Sequence, residues 1–428
     1  MVKKVLIITY FFPPRPAVAS IRLGGLAKYL PEFGWEPTIL TAKLPSPADA
    51  RYQVIETPDS DLLLEWKRRL GFSTDKTFRE QMGQTGKNDT VVDSLLNIAK
   101  EIVAYPDYQK HWYSDALPVA RDLLNTEHYD AIISSAGPAA THMIAHNLKR
   151  EFNILWIADF RDLWTQHQNY SFSRIRKFFE TNLEVKTLSD ANAITTVSQP
   201  LADKLHQIHH TPVSVISNGF DPELLNHTAS LTSKFSINYT GRVYRGKMDP
   251  EPLFKVIRKL IDEHKMDPSD MEIHFWGCNE TWLQGMIDKY DLNPVITLHD
   301  AVPHEQALEI QRRSQILLLF TWNDPREEGI VTGKIFEYLA ARRPVLAIGR
   351  SGGTIQEILD ETSAGCIAGN EQEIVTAVLG YYDQYRMMQR VLYSGNDSSI
   401  RNYSHQHMAC RFATILDSIT KSQSVKEH

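Results

Sequence analysis

The sequence predicts an α/β chain of two doubly wound, Rossmann-like domains, and three observations carry that prediction. Short runs of near-continuous Val, Ile and Leu alternate with amphipathic stretches along most of the chain, the pattern of strands covered on both faces by helices. The alternation starts afresh near the middle, so one domain plan is used twice. No stretch of about 18 consecutive apolar residues occurs, so the apolar content belongs to cores and not to a membrane span.

In the first half the strand-like runs are "KVLIITY", "EPTILTA", "YDAIISS", "NILWIADF" and "ANAITTVS". Between the first two, "IRLGGLAKYLPEFG" sets Ile21, Leu23, Leu26 and Leu30 at helical spacing and ends on Gly, which makes a strand, loop, helix, strand unit. The opening "MVKKVLIITYFFPPRPAVAS" imitates a leader peptide, but its apolar run is short and interrupted by Thr9 and Tyr10; it is expected to be the first strand. The second half repeats the plan with "KFSINYT", "MEIHFWG", "PVITLHD", "QILLLF" and "RPVLAIG". The join is marked by Pro, Asn-Gly and Asp-Pro in "HHTPVSVISNGFDPELLNH". The expected division is 1–205, 206–399, and a closing helix with a polar tail over 400–428. Residues 46–115 are too long for an ordinary connection and are expected to be an insertion. Within them, Leu62, Leu63, Trp66 and Leu70 beside Lys67, Arg68 and Arg69 either pack as an ordinary amphipathic helix or make peripheral contact with an anionic membrane.

A formal charge of -6 over 428 residues excludes a globally basic, nucleic-acid-coating protein. Cys278, Cys366 and Cys410 are far apart, which implies neither a disulfide framework nor a cysteine zinc site and suits a reducing, cytoplasmic setting.

Two segments of the second half point to an anion. "TGRVYRGK" closes a strand with a basic, Gly-bounded loop that matches G-x-x-x-x-G-K literally. Met248 stands where a P-loop needs Ser or Thr, and Asp249-Pro250 starts a fresh helix, so a looser anion site at the strand end is the better reading. In "VTGKIFEYLAARRPVLAIG", Gly333 opens a helix whose first turn holds Lys334, where unpaired amides already carry partial positive charge. A diphosphate there would remove the repulsion, and Glu337, one turn deeper, would be left for sugar hydroxyls. An exposed (i, i+3) Lys334 and Glu337 ion pair is the plainer alternative. In the first half, "SSAGPAATHMIA" places Ser134 and Ser135 at a strand end and His142 in the next helix. "WIADFRDLWTQ" ends a strand with Asp159, Arg161 and Asp162; Asp159 could hold an acceptor hydroxyl or pair with Arg161.

Taken together, "KIFEYLAARRPVLA", "TGRVYRGK", "SNGFD" and the opening strand, loop and helix resemble the family-4 retaining glycosyltransferases of the GT-B fold, over nearly the whole chain apart from much of 46–115. The resemblance implies two Rossmann-like domains facing a central cleft, the first on the acceptor side and the second binding a nucleotide-sugar. It implies Arg242 and Lys247 on the diphosphate and Glu337 on the ribose. With the residue reading, the catalytic candidates are Arg242, Lys247 and Asp159, and the donor-binding candidates Gly241, Thr332, Gly333, Lys334 and Glu337. Ser135, His142, Arg161 and Asp162 are the acceptor-side candidates. The family's commoner first Glu, eight before Glu337, falls on Gly329, flanked by Glu327 and Glu328. The implied activity is transfer of a hexose from a nucleoside diphosphate sugar, a UDP-sugar being favoured, to a glycan or lipid-linked acceptor in cell-surface polysaccharide synthesis, with no metal or other cofactor. A nucleotide-sugar epimerase on the same fold, or a non-catalytic nucleotide-sugar-binding subunit, are the rival expectations. The expected location is the cytoplasm, with peripheral contact at the inner face of the membrane as an option.

Overall fold

The structure is a computed structural model and describes residues 2–58, 101, 105–107, 109–227, 229–322 and 324–426. The described chain forms two compact units, one running to Ile216 and taking in the chain again from Ala409, the other spanning Ser217–Met408.

The first unit holds a seven-stranded sheet in the order β3-β2-β1-β4-β5-β6-β7, built from β1 (Lys3–Ile8), β2 (Trp35–Ala42), β3 (Gln53–Thr57), β4 (Ala131–Ser135), β5 (Leu155–Phe160), β6 (Ala193–Thr196) and β7 (Val213–Val215). Its helices are α1 (Val18–Tyr29), α2 (Lys110–Thr126), α3 (Ala140–Phe152), α4 (Arg174–Leu188) and α5 (Gln199–His206). All six strand pairings are parallel. The leader-like opening is β1, a central strand flanked by β2 and β4, with Val5, Leu6, Ile7 and Ile8 fully buried. A strand buried on both faces has no room for polar alternation, which is why it reads as an unbroken apolar run.

The second unit holds a six-stranded sheet in the order β10-β9-β8-β11-β12-β13. Its strands are β8 (Phe235–Thr240), β9 (Met271–Trp276), β10 (Ile296–His299), β11 (Ile316–Phe320), β12 (Val345–Ile348) and β13 (Gly365–Ala368). The helices are α6 (Glu251–Asp262), α7 (Thr281–Lys289), α8 (His304–Arg313), α9 (Lys334–Ala341), α10 (Thr354–Thr362), α11 (Glu371–Met388) and α12 (Asp397–Arg401), and the last helix, α13 (His405–Lys426), closes the chain. These pairings are also parallel, so the predicted doubly wound architecture is what forms.

Three differences from the sequence reading have physical causes. The expected insertion over 46–115 is narrower, because Gln53–Thr57 pairs with β2 as an edge strand and α2 begins at Lys110. Trp112 of α2 is 1% exposed and donates from Nε1 to Thr57 Oγ1 at 2.7 Å. The helical pieces expected at 61–72 and over most of 91–103, with Leu62, Trp66 and their basic neighbours, lie outside the described residues. On α1 it is Arg22 that is buried, at 1% exposure, while Ile21 is 45% exposed; a charged partner below the helix outweighs the apolar side chain beside it. The chain leaves the first sheet only after β7, inside the stretch marked by Pro and Asn-Gly.

Candidate active site

The strand order of the second sheet reverses between β8 and β11, and a doubly wound sheet leaves room for a ligand outside the carboxyl ends at such a point. Gly241 follows β8 with φ of 114°, and a Cβ on it would stand 2.2 Å from Cε and 2.8 Å from Nζ of Lys334. Only glycine lets the lysine lie across this turn. Lys334 opens α9 with Gly333 as an N-cap that supplies no side-chain bond, and its ammonium sits 5.4 Å from the centre of the Tyr239 ring. Burial pushes the Lys334 pKa down, with Glu337 and Cys278 pulling part of the way back.

The Lys334 and Glu337 surface pair does not form. Glu337 accepts instead from His304 Nε2 at 2.9 Å and from Gln311 Nε2 at 3.0 Å, and that bond raises the His304 pKa. Gln311 Nε2 also reaches Thr240 Oγ1 at 2.9 Å, so β8, α8 and α9 are tied at their ends. Cys278, buried after β9, donates to the Gly241 carbonyl at 2.6 Å, and burial lifts its thiol to about 11. The sequence reading did not find Cys278, His304 or Gln311. The last two stand two turns apart on one face of α8, a spacing that could have paired them.

In the basic loop Lys247 forms an ion pair with Glu327 at 2.6 Å and lies 5.3 Å from the Trp322 ring centre. Arg242 is exposed, and its carbonyl accepts from Tyr239 Oη at 2.8 Å. A fresh helix does begin at Glu251, capped through Asp249 at 3.0 Å, so the loop does not continue into a helix as a P-loop would. Glu327 is 5% exposed and, among the described residues, its Oε2 has no hydrogen-bond partner. It lines a solvent-open pocket of about 470 Å³ with Thr321, Glu328, Gly329 and Thr354, and Thr321 Oγ1 and Thr354 Oγ1 are also buried without a partner among the described residues. Thr332 is half-buried just before the N-cap.

In the first sheet the reversal lies at β1 and β4. Asp159 at the end of β5 is fully buried. Its carboxylate accepts from Arg22 Nε at 3.2 Å and Nη2 at 2.9 Å, from Ser135 Oγ at 2.9 Å and from Thr195 Oγ1 at 2.9 Å. Burial alone would raise this carboxyl, and the guanidinium and hydroxyls reverse that and hold it below the usual range. The partner of Asp159 is therefore Arg22 and not Arg161, which pairs with Asp162 at 2.8 Å. Ser135 is enclosed in the same network.

His142 is fully buried and lies against Phe160 with ring centres 4.6 Å apart. Trp156 Nε1 donates to Ser134 Oγ at 2.7 Å, and Ser134 Oγ lies 2.7 Å from His142 Nδ1. Tryptophan is a donor only, and the serine hydroxyl, with one proton and two lone pairs, can pair with Nδ1 as donor or acceptor; the other ring nitrogen is Nε2. That atom has no partner among the described residues. Burial drives the His142 pKa down to about 3. His142 lines a solvent-open pocket of about 770 Å³ with Asp107, Asp162, Trp164, Tyr170 and Glu180. Asp107, unmarked in sequence, accepts from the Gln109 and Ala140 amides at 2.8 and 3.1 Å and so caps α3 from outside; burial pushes its carboxyl up to about 6. Among the described residues no group of three or more His, Cys, Asp or Glu is placed to hold a metal ion.

Residues 19–224 match the family model of Glycosyltransferase Family 4. Solved structures share the fold at low identity. A glycosyltransferase from Rickettsia africae ESF-5 has 13% identity and a TM-score of 0.58, covering 98% of this chain and 99% of its own. Sucrose-phosphate synthase from Thermosynechococcus elongatus has 13% identity and a TM-score of 0.56, covering 99% and 98%. HepE of Anabaena, in complex with UDP and glucose, has 13% identity and a TM-score of 0.54, covering 99% and 100%. The shared architecture is the GT-B fold. No curated protein sequence matches the chain.

Proposed function

We propose that the chain, whose residues 19–224 match the family model of Glycosyltransferase Family 4, is a glycosyltransferase that transfers a hexose, with retention, from a nucleoside diphosphate sugar to a hydroxyl of a glycan or lipid-linked acceptor in cell-surface polysaccharide synthesis. One observation carries the reading: Lys334 is a cation packed into the first turn of a helix, its charge opposed by burial and no carboxylate bound to it among the described residues. An anion supplied by a ligand relieves both burdens.

The chemistry follows from where charge develops. As the glycosidic bond breaks, the leaving diphosphate gains negative charge, and Lys334, the α9 amides, Arg242 and Lys247 would stabilise it more in the transition state than in the ground state. These groups do the work a divalent ion would otherwise do, so the reaction is metal-independent. Lys247 would exchange Glu327 for phosphate. Glu337, with Thr332 and Gly333 beside it, retains lone pairs beyond those used by His304 and Gln311 and would take the ribose hydroxyls. UDP is the first nucleotide to try, since HepE was solved with it. In the first domain, Asp162 and Nε2 of His142 would meet the acceptor, while Asp159, with Ser135, positions the strand ends and Arg161 holds Asp162.

Calorimetric titration with UDP and uridine, followed by NMR of the product anomer, tests this. UDP is expected to bind well beyond uridine and the product to keep the donor's configuration. Equal affinity for the two ligands would remove the diphosphate site, and donor isomerisation without acceptor would favour the epimerase.

A further inference from the structure

Helix α4 is built inside out. Arg176, Glu180 and Glu184 are 6%, 2% and 0% exposed, while Ile175, Phe178 and Phe179 on the other side are 74%, 65% and 58% exposed. Its orientation is set by the buried charges. Arg176 Nε meets Glu180 Oε2 at 3.0 Å with its guanidinium 3.4 Å from the Phe172 ring centre, Glu180 also accepts from Trp164 Nε1 at 2.8 Å, and Glu184 accepts from the Thr165 amide at 3.0 Å. Rotating the helix to bury the phenylalanines would break these pairs and strand the charges, which costs more than the apolar side chains would return.

Scattered apolar side chains on a surface need no explanation, but two adjacent phenylalanines and an isoleucine on one helix face do. The other exposed residues of α4 are Arg174, Lys177, Asn182, Val185 and Lys186, so apart from the neutral Asn182 the exposed face is apolar or basic, and it carries no acid. We propose that this face docks on an anionic lipid bilayer, with Ile175, Phe178 and Phe179 entering the boundary between headgroups and acyl chains and Arg174, Lys177 and Lys186 meeting lipid phosphates. Apolar side chains flanked by basic ones, with no acid on the helix's exposed face, suit an interfacial helix on negative lipid. The helix lies on the bilayer and does not cross it: no helix among the described residues is long and apolar enough to span a membrane.

The full chain is tested by co-sedimentation with phosphatidylcholine vesicles made with and without phosphatidylglycerol. The parent should bind the anionic vesicles, less so at high salt. I175S/F178S/F179S should lose binding by about tenfold or more while melting like the parent, and R174E/K177E should lose at least about fivefold for each basic side chain changed. Failure of the parent to bind anionic vesicles, or binding unchanged in the triple variant, overturns the proposal. So does a triple variant that melts much earlier, since protein would then cover the face. A parent that is dimeric by light scattering and becomes monomeric in the triple variant assigns the face to a second copy and overturns it as well.

Discussion

Both sheets present titratable groups at a switch point, and they treat charge in opposite ways. In the first unit Asp159 is fully buried and accepts from Arg22, Ser135 and Thr195. In the second, Lys334 is half-buried, has an aromatic ring rather than a carboxylate beside it, and keeps a lowered pKa. A buried charge whose hydrogen bonds are all met by protein is a fastener, and removing one member leaves the rest stranded. A charge that burial opposes and no carboxylate binds is a candidate for a ligand's counter-charge, and perturbed groups of that kind gather at functional sites.

The largest effect expected from this contrast is on stability. Asp159→Ala leaves Arg22 buried without its counterion and should cost about 3–5 kcal/mol in denaturant unfolding; a loss under about 1 kcal/mol would mean that Asp159 is not the fastener described here. Next is turnover. Lys334→Met should reduce it roughly 100- to 1000-fold and melt no earlier than the parent, because burial opposes the charge it removes. Earlier melting with intact UDP affinity would make Lys334 a second fastener and erase the contrast.

The third prediction concerns pH. His142 is neutral in the folded chain down to about pH 3, while its unfolded counterpart binds a proton below about pH 6.5. The unfolded state then holds more protons between those values, so stability is full above about pH 6.5 and falls as pH drops toward 3, by up to about 1.4 kcal/mol per pH unit from this group. His142→Phe should flatten that part of the acid limb in unfolding curves recorded across pH, and an unchanged slope would place a charged imidazole in the fold. A smaller effect is expected at Glu337. Glu337→Ala should weaken uridine and UDP alike by about tenfold, the scale of hydrogen bonds to a charged group, whereas Lys334→Met should weaken UDP and spare uridine. The smallest is chelation, where activity should not change; complete loss restored by magnesium would show that a cation supplies charge assigned here to Lys334, Lys247 and Arg242.

Much of the fold was legible in residue pattern. Ten apolar runs were expected as strands and all ten form; most are buried on both faces and therefore apolar throughout, while β9 alternates and the outer strand β10 is half-buried. The strands that escaped notice, Gln53–Thr57, Val213–Val215 and Gly365–Ala368, are short outer strands, mostly half-buried, and such strands need no apolar run to hold their place. At the candidate site Lys334 stood out because its charge opposes the helix that contains it, and Gly241 because a glycine closes β8. Asp107 and Cys278 gave no signal, since each matters only through the burial that shifts its pKa.

Residue order by itself determined the two parallel α/β units, the strand ends at which the candidate residues stand, and a lysine whose charge opposes the helix that holds it. These depend on periodicity and on backbone rules that act over a few residues. Only the tertiary structure decided which charge meets which. Arg22 lies 137 positions from Asp159 and Lys247 lies 80 from Glu327, and a hydrogen bond depends on ångström-scale approach that sequence separation does not encode. The same holds for α4, whose apolar residues face outward because three buried charges found partners on other elements and on the helix itself, an outcome of packing that its own periodicity could not announce.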